Sequence, residues 1–167
     1  VVALGVAAAV TAIPRTGSAH DDEHKRIAGQ KLKMSYDAVK PTKKKFQFKT
    51  KDQIAIAGLT AIDPTTVPSS LIVRGVGPSD GDTGVIRLDP AKWSPVGTNG
   101  WQYKDDAKVT TSLGVQKIQL KEGAVGGSLE IKAKGTYWPY SIIGAQQGVE
   151  IFLNLGGETY CAQYGTT

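Results

Sequence analysis

Residues 85–105 read VIRLDPAKWSPVGTNGWQYKD, and the pattern in this stretch decides the fold. Val85 and Arg87 alternate with Ile86 and Leu88 until Asp89-Pro90 ends the run. A connector rich in Pro, Gly, Ser and Asn follows, and Trp101-Gln102-Tyr103 opens a new run. Alternation with period two is the mark of a half-buried strand, so the stretch predicts a strand, a tethered loop and a returning strand. Trp93 and Trp101 flank the connector. Each indole can bury roughly 150–250 Å², so the pair is expected to pin the loop to the body of the domain.

The same period extends in both directions. Leu32 and Met34 alternate with Lys31, Lys33 and Ser35, and Lys45-Phe46-Gln47-Phe48-Lys49 sets aromatic rings against lysines. Ile54 and Ile56 suggest a short piece, Asp63–Pro68 a loop, and Leu71–Val76 a strong strand. Residues 77–84 are turn-rich, because Gly and Asp tolerate positive φ, and Val85–Leu88 returns as the second arm of a hairpin. Downstream, Val115–Leu120, Leu129–Ala133, Tyr140–Ile143, Val149–Leu155 and Glu158–Ala162 continue the series, with Gly156-Gly157 as a two-residue hairpin turn. No window after the N-terminal segment has a helical period. About ten short strands with regular turn signals predict an all-β fold, an antiparallel β-sandwich of jelly-roll or immunoglobulin-like kind.

The chain has 167 residues, suited to one domain with a real core. Its 20 glycines and 8 prolines favour turns over long helices, and its formal charge of +5 favours anionic partners. Val1–Ile13 is an unbroken apolar run, too short for a bilayer span of about 20 residues but suited to the core of an export signal. Gly17-Ser18-Ala19 offers a cleavage pattern before His20. The expected organisation is a partial signal peptide over 1–19, a flexible polar tail over 20–29, and a β-sandwich domain over 30–167 that continues past the last residue. The expected address is secreted, periplasmic or on the cell surface. Both histidines, His20 and His24, fall in the predicted tail. A folded part without histidine excludes Ser-His-Asp and Cys-His catalysis and most zinc sites. His20-Asp21-Asp22-Glu23-His24 has metal-binding residue types, yet no apolar support to hold them in place. No cofactor motif is present.

Four constellations bear on function. Residues 40–51 hold six lysines, Lys40 and, set around Phe46 and Phe48, Lys43, Lys44, Lys45, Lys49 and Lys51. This reads as a solvated edge strand whose lysines block unwanted pairing, or as a surface for an anionic polymer; nucleic acid is not expected. Trp93, Trp101, Tyr137, Trp138 and Tyr140 are either buried loop anchors or an exposed platform on which sugar rings stack. Asp80 and Asp82 have the spacing of a calcium loop without its third acid or its distal Glu, so an ordinary turn is expected. Cys161 is alone, which in an exported chain means a partner outside this sequence or a free thiol. Paired carboxylates would serve a glycosidase-like hydrolase, but no motif singles out a pair.

Lys43-Lys44-Lys45-Phe46, Asp63-Pro64-Thr65, the Leu71-Ile72-Val73 strand, Leu88–Trp93, Gly100–Asp105, Gly123 and Tyr160–Gly165 together give the chain a likeness. From about Lys31 onward it resembles a β-rich module that recurs in exported proteins of environmental bacteria. The resemblance implies export, a β fold and a non-enzymatic role. It also implies that Cys161 pairs with a second cysteine farther downstream. The expected function is a non-catalytic binding or structural module, with a glycan or anionic envelope polymer as its ligand class. A carboxylate-based hydrolase and a cell-surface assembly subunit are the alternatives.

Overall fold

Alternating apolar and polar residues become eleven strands in the computed structural model, which describes residues 24–27, 29, 31–37, 39–50, 61–77, 81–105, 112–123, 127–142 and 146–165. They are β1 (His24–Arg26), β2 (Lys31–Ser35), β3 (Lys45–Lys49), β4 (Ser69–Gly75), β5 (Ile86–Leu88), β6 (Trp93–Pro95), β7 (Gly100–Lys104), β8 (Val115–Lys121), β9 (Ser128–Lys134), β10 (Gly148–Leu155) and β11 (Glu158–Gly165). Two short 3-10 turns, Pro41–Lys43 and Pro90–Lys92, precede β3 and β6. No α-helix occurs among the described residues, and none of their helices is long and apolar enough to cross a membrane.

The strands form a five-stranded sheet, ordered β1-β11-β10-β4-β5, and a six-stranded sheet, ordered β2-β3-β9-β8-β7-β6. Every pairing is antiparallel except β1 with β11. The sheets pack face to face as a β-sandwich, and neither closes into a barrel. The chain changes sheet after β1, β3, β5 and β9, so non-local pairings such as β3 with β9 hold it together. The inward parity of each strand supplies the core: Phe46 and Phe48 from β3, Ile118 and Leu120 from β8, Leu71 and Val73 from β4, and Ile151 and Leu153 from β10. Burying each such side chain contributes roughly 1.5–3 kcal/mol. Phe48 meets Tyr164 edge to face across the two sheets, ring centres 5.9 Å apart. The β10–β11 hairpin turns on Gly156 and Gly157, both at positive φ (57° and 99°), as a two-residue turn of this kind demands.

The structure alters three expectations. Part of the expected tail forms a strand: β1 pairs with Thr159, Tyr160 and Cys161 of β11, and Ile27 is buried with its N–H on the Cys161 carbonyl at 2.6 Å. A three-residue His-Lys-Arg strand has no alternation to read; the open edge of β11 supplies its backbone partners. His24 therefore belongs to the folded part. The connector after Asp89 holds a strand of its own, β6, which pairs with β7. Residues 140–142 form no strand; Tyr140 is buried there, its hydroxyl donating to Gln146 Oε1 at 2.7 Å. Ile54, Ile56 and residues 1–19 lie outside the described residues.

Candidate functional site

In a strand, successive side chains point to opposite faces, so once one parity enters the core the other must face out. In the six-stranded sheet that outward parity is lysine. β2 contributes Lys31 and Lys33, and β3 contributes Lys45 and Lys49. β7 adds Lys104, β8 adds Lys117 and Lys121, and β9 adds Lys132 and Lys134. These nine lysines stand among the chain's 20 basic residues, and the same six strands contain a single acid, Glu130. Gln47, Gln102 and Gln119 occupy outward positions between them.

The register places like charges side by side. Lys31 is opposite Lys49, Lys45 opposite Lys134, Lys132 opposite Lys117, and Lys117 opposite Lys104. Neighbouring strands lie about 4.8 Å apart, so the row from Lys33 through Lys132 and Lys117 to Lys104 spans about 19 Å. Like charges directly opposite destabilise a sheet. Edge protection does not account for them: β3, β7, β8 and β9 are all interior strands. The expectation that the lysines of β3 guard an edge is thus corrected, since β2 covers that side of β3.

Glu130 relieves part of the repulsion. Its Oε2 lies 3.0 Å from Lys117 Nζ, and its Oε1 lies 3.0 Å from Lys49 and 3.2 Å from Lys132. The Oε1 contacts are ion pairs rather than well-directed hydrogen bonds. Partial burial pushes the Glu130 carboxyl up, but the Lys117 hydrogen bond and the Lys49 and Lys132 ammonium groups outweigh it and hold the group at about 2, against an ordinary 4.5. The three lysines gathered on Glu130 are half-buried, while Lys31, Lys33, Lys45, Lys104, Lys121 and Lys134 are exposed.

Of the five lysines singled out from sequence, Lys45 and Lys49 lie on this face. Lys43 is exposed in the 3-10 turn before it. Lys44 turns aside: its Nζ donates to the Trp138 carbonyl at 3.3 Å and sits 5.1 Å from the centre of the Tyr36 ring. Lys51 lies outside the described residues. The lysines of β2, β7, β8 and β9 escaped sequence reasoning. Each occupies the outward parity of a legible strand, but only strand order and register join them.

The aromatic platform is overturned by burial. Trp93, Trp138 and Tyr140 are 5%, 2% and 2% exposed, leaving no ring face for a sugar. Trp93 takes the inward parity of β6, packs on Tyr103 at 5.4 Å and donates its indole N–H to Ser69 Oγ at 3.0 Å, tying the connector to the opposite sheet. Trp138 packs on Phe46 at 5.1 Å. Trp101 faces inward against the core and is only half-buried, while Tyr137 is exposed by itself in a turn.

The remaining candidates take structural places. Asp82 Oδ1 accepts the Gly84 N–H at 2.6 Å, closing a turn, and Asp80 lies outside the described residues. Among the described residues no cluster of three or more His, Cys, Asp or Glu could hold a metal ion. Cys161 is a free thiol, 3% exposed, and burial raises its pKa. An intermolecular disulfide would have to reach a sulfur closed off between β1 and β10. An open groove of about 1020 Å³ runs along β4 and β5, with Asp89 the one carboxylate of its wall among the described residues. The carboxylate pair of a glycosidase-like site is therefore not assembled in that groove among those residues. No protein-family model, curated protein or solved structure matches this chain.

Proposed function

We propose that the protein is a non-catalytic binding module that holds an anionic envelope polymer against the lysine face of its six-stranded sheet. The observation that carries this reading is the lysine-opposite-lysine register on interior strands. That arrangement costs the isolated fold stability, and a polyanion laid across the strands reverses the cost by neutralising several lysines at once. Lysine ammonium groups are mobile point charges, suited to phosphate, sulfate or carboxylate repeats without strict stereochemistry. The aromatic residues of β3 point into the core, which favours a polymer without bases to stack over a single-stranded nucleic acid. The export-like run Val1–Ile13 and the likeness to exported β-rich modules support an extracellular or cell-surface setting.

The test is a titration of the whole chain with poly(glycerol phosphate) and heparin at low and high salt, beside a Lys117→Glu/Lys132→Glu variant. Affinity is expected to fall steeply with salt, because released counterions and screening both act on exposed charge. The variant is expected to lose at least about tenfold while keeping its fold by circular dichroism. Binding that ignores salt, or a folded variant that binds as tightly as the parent, would overturn the proposal.

A further inference from the structure

The groove described above lies on the other sheet. The groove along β4 and β5 is crossed by a row of outward side chains, Arg87 on β5, Ser70 on β4 and Asn154 on β10, which the register sets directly beside one another. Two strand spacings separate Arg87 from Asn154, about 10 Å.

The three donors of this row are uncommitted among the described residues. Elsewhere on this sheet Arg74 is paired to Glu150 at 2.6 Å and Lys25 to Glu158 at 2.9 Å, and Arg26 is also engaged. Arg87 has no ion pair among the described residues. Asn154 uses its Oδ1 to accept from Thr159 at 3.2 Å, which leaves its amide N–H groups available. Asp89, also in the wall, accepts the Ala91 N–H on Oδ1 at 2.9 Å and keeps Oδ2 as a further acceptor. Val67, Pro68, Val85 and Pro90 make the apolar part of the wall. Tyr103, fully buried, lies behind this wall.

We infer that this groove binds a short acidic saccharide, the carboxylate of a uronic-acid unit on Arg87 and ring hydroxyls on Ser70, Asn154 and Asp89. A planar guanidinium matches a carboxylate with two parallel hydrogen bonds. One cation beside Asp89 suits a singly charged group better than a doubly charged phosphate. A row of donors with one carboxylate acceptor beside an apolar wall matches a sugar ring, which presents hydroxyls at its rim and C–H groups on its faces. The site is independent of the lysine face, which belongs to the opposite sheet.

The experiment is a ¹⁵N NMR titration of the whole chain with trigalacturonate, and with maltotriose as the neutral comparator. Saturable shifts at Ser70, Arg87 and Asn154 are expected with trigalacturonate. Binding is expected to be about tenfold weaker for maltotriose and for Arg87→Gln. Asn154→Ala, which removes the amide donors together with the acceptor of the Thr159 hydroxyl, is expected to weaken binding about threefold or more. The Lys117→Glu/Lys132→Glu variant, which tests the polymer face, is expected to leave these shifts unchanged. An absence of shifts at the groove up to about 10 mM ligand, equal binding of maltotriose, or full binding by Arg87→Gln would each overturn the inference.

Discussion

Replacing Glu130 with Gln separates what the lysine face costs from what it does. The carboxyl is held at about 2, against 4.5 when free, through Lys117, Lys49 and Lys132. Fully expressed, that difference is worth roughly 3 kcal/mol of folding stability above the unfolded value. The three lysine side chains are 27% to 45% exposed, and solvent screens their share, so the expected loss at pH 7 is about 1–1.5 kcal/mol. The sign follows from a depressed carboxylate: the stabilisation is present above 4.5 and disappears as pH falls through about 2. Parent and variant are therefore expected to differ in urea unfolding at pH 7 and to converge near the acid end. Polymer binding is expected to move the other way. Removing one negative charge about 5–7 Å from an anionic repeat relieves about 0.6–0.8 kcal/mol of repulsion per neighbouring group in water. With one or two such groups in range, affinity for poly(glycerol phosphate) is expected to rise about three- to fifteenfold at low salt, and the gain to vanish at high salt. A Glu130→Gln protein that is equally stable at pH 7 would refute the pairing argument. One that is folded and binds no tighter would refute the placement of the polymer over Glu130.

Trp93→Ala is expected to lower stability by about 3–5 kcal/mol with little effect on polymer binding by the folded fraction, since the indole is core and not surface; Trp93→Phe, which loses the Ser69 hydrogen bond, is expected to cost less. Gly29→Ala is expected to destabilise by about 1–3 kcal/mol in denaturant titrations, because a β-carbon there would collide with the hydroxyl and ring of the buried Tyr164. Native Cys161 is expected to resist a thiol reagent at pH 8 and to react at once in denaturant; rapid native labelling would contradict its burial. Burial, with nearby carboxylates adding to it, raises Tyr103 and Tyr160 from 10 to about 12. Each keeps its full contribution to stability below pH 10 and loses it as pH rises toward 12, so phenolate absorbance is expected to appear together with alkaline unfolding rather than before it.

Local pattern was sufficient for most of the strands, but not for β1 or β6, and it extended to residues 140–142, where no strand forms. Lys31–Ser35 and Lys45–Lys49 alternate so cleanly that their bounds coincide with β2 and β3, because a half-buried strand can take no other pattern. The all-β class and the Gly156-Gly157 hairpin were legible for the same reason: alternation and positive φ are properties of neighbouring residues. Three features were not legible. β1 has no alternation and exists because β11 leaves an edge open beside it. The rings of Trp93, Trp138 and Tyr140 carry no local sign of whether they face core or water; the packing of one sheet on the other hides them. The lysines from Lys31 to Lys134 are spread over five strands and more than a hundred residues, each unremarkable where it stands. The order of residues along the chain thus sets which side of each strand avoids water. The assembly of the two sheets is what joins the water-facing sides of five neighbouring strands into one cationic surface around Glu130, and what brings Arg87, Ser70 and Asn154 together in one groove. Charge and donor groups act over a few ångströms of space, and the pairing of distant strands, not their order along the chain, sets those distances.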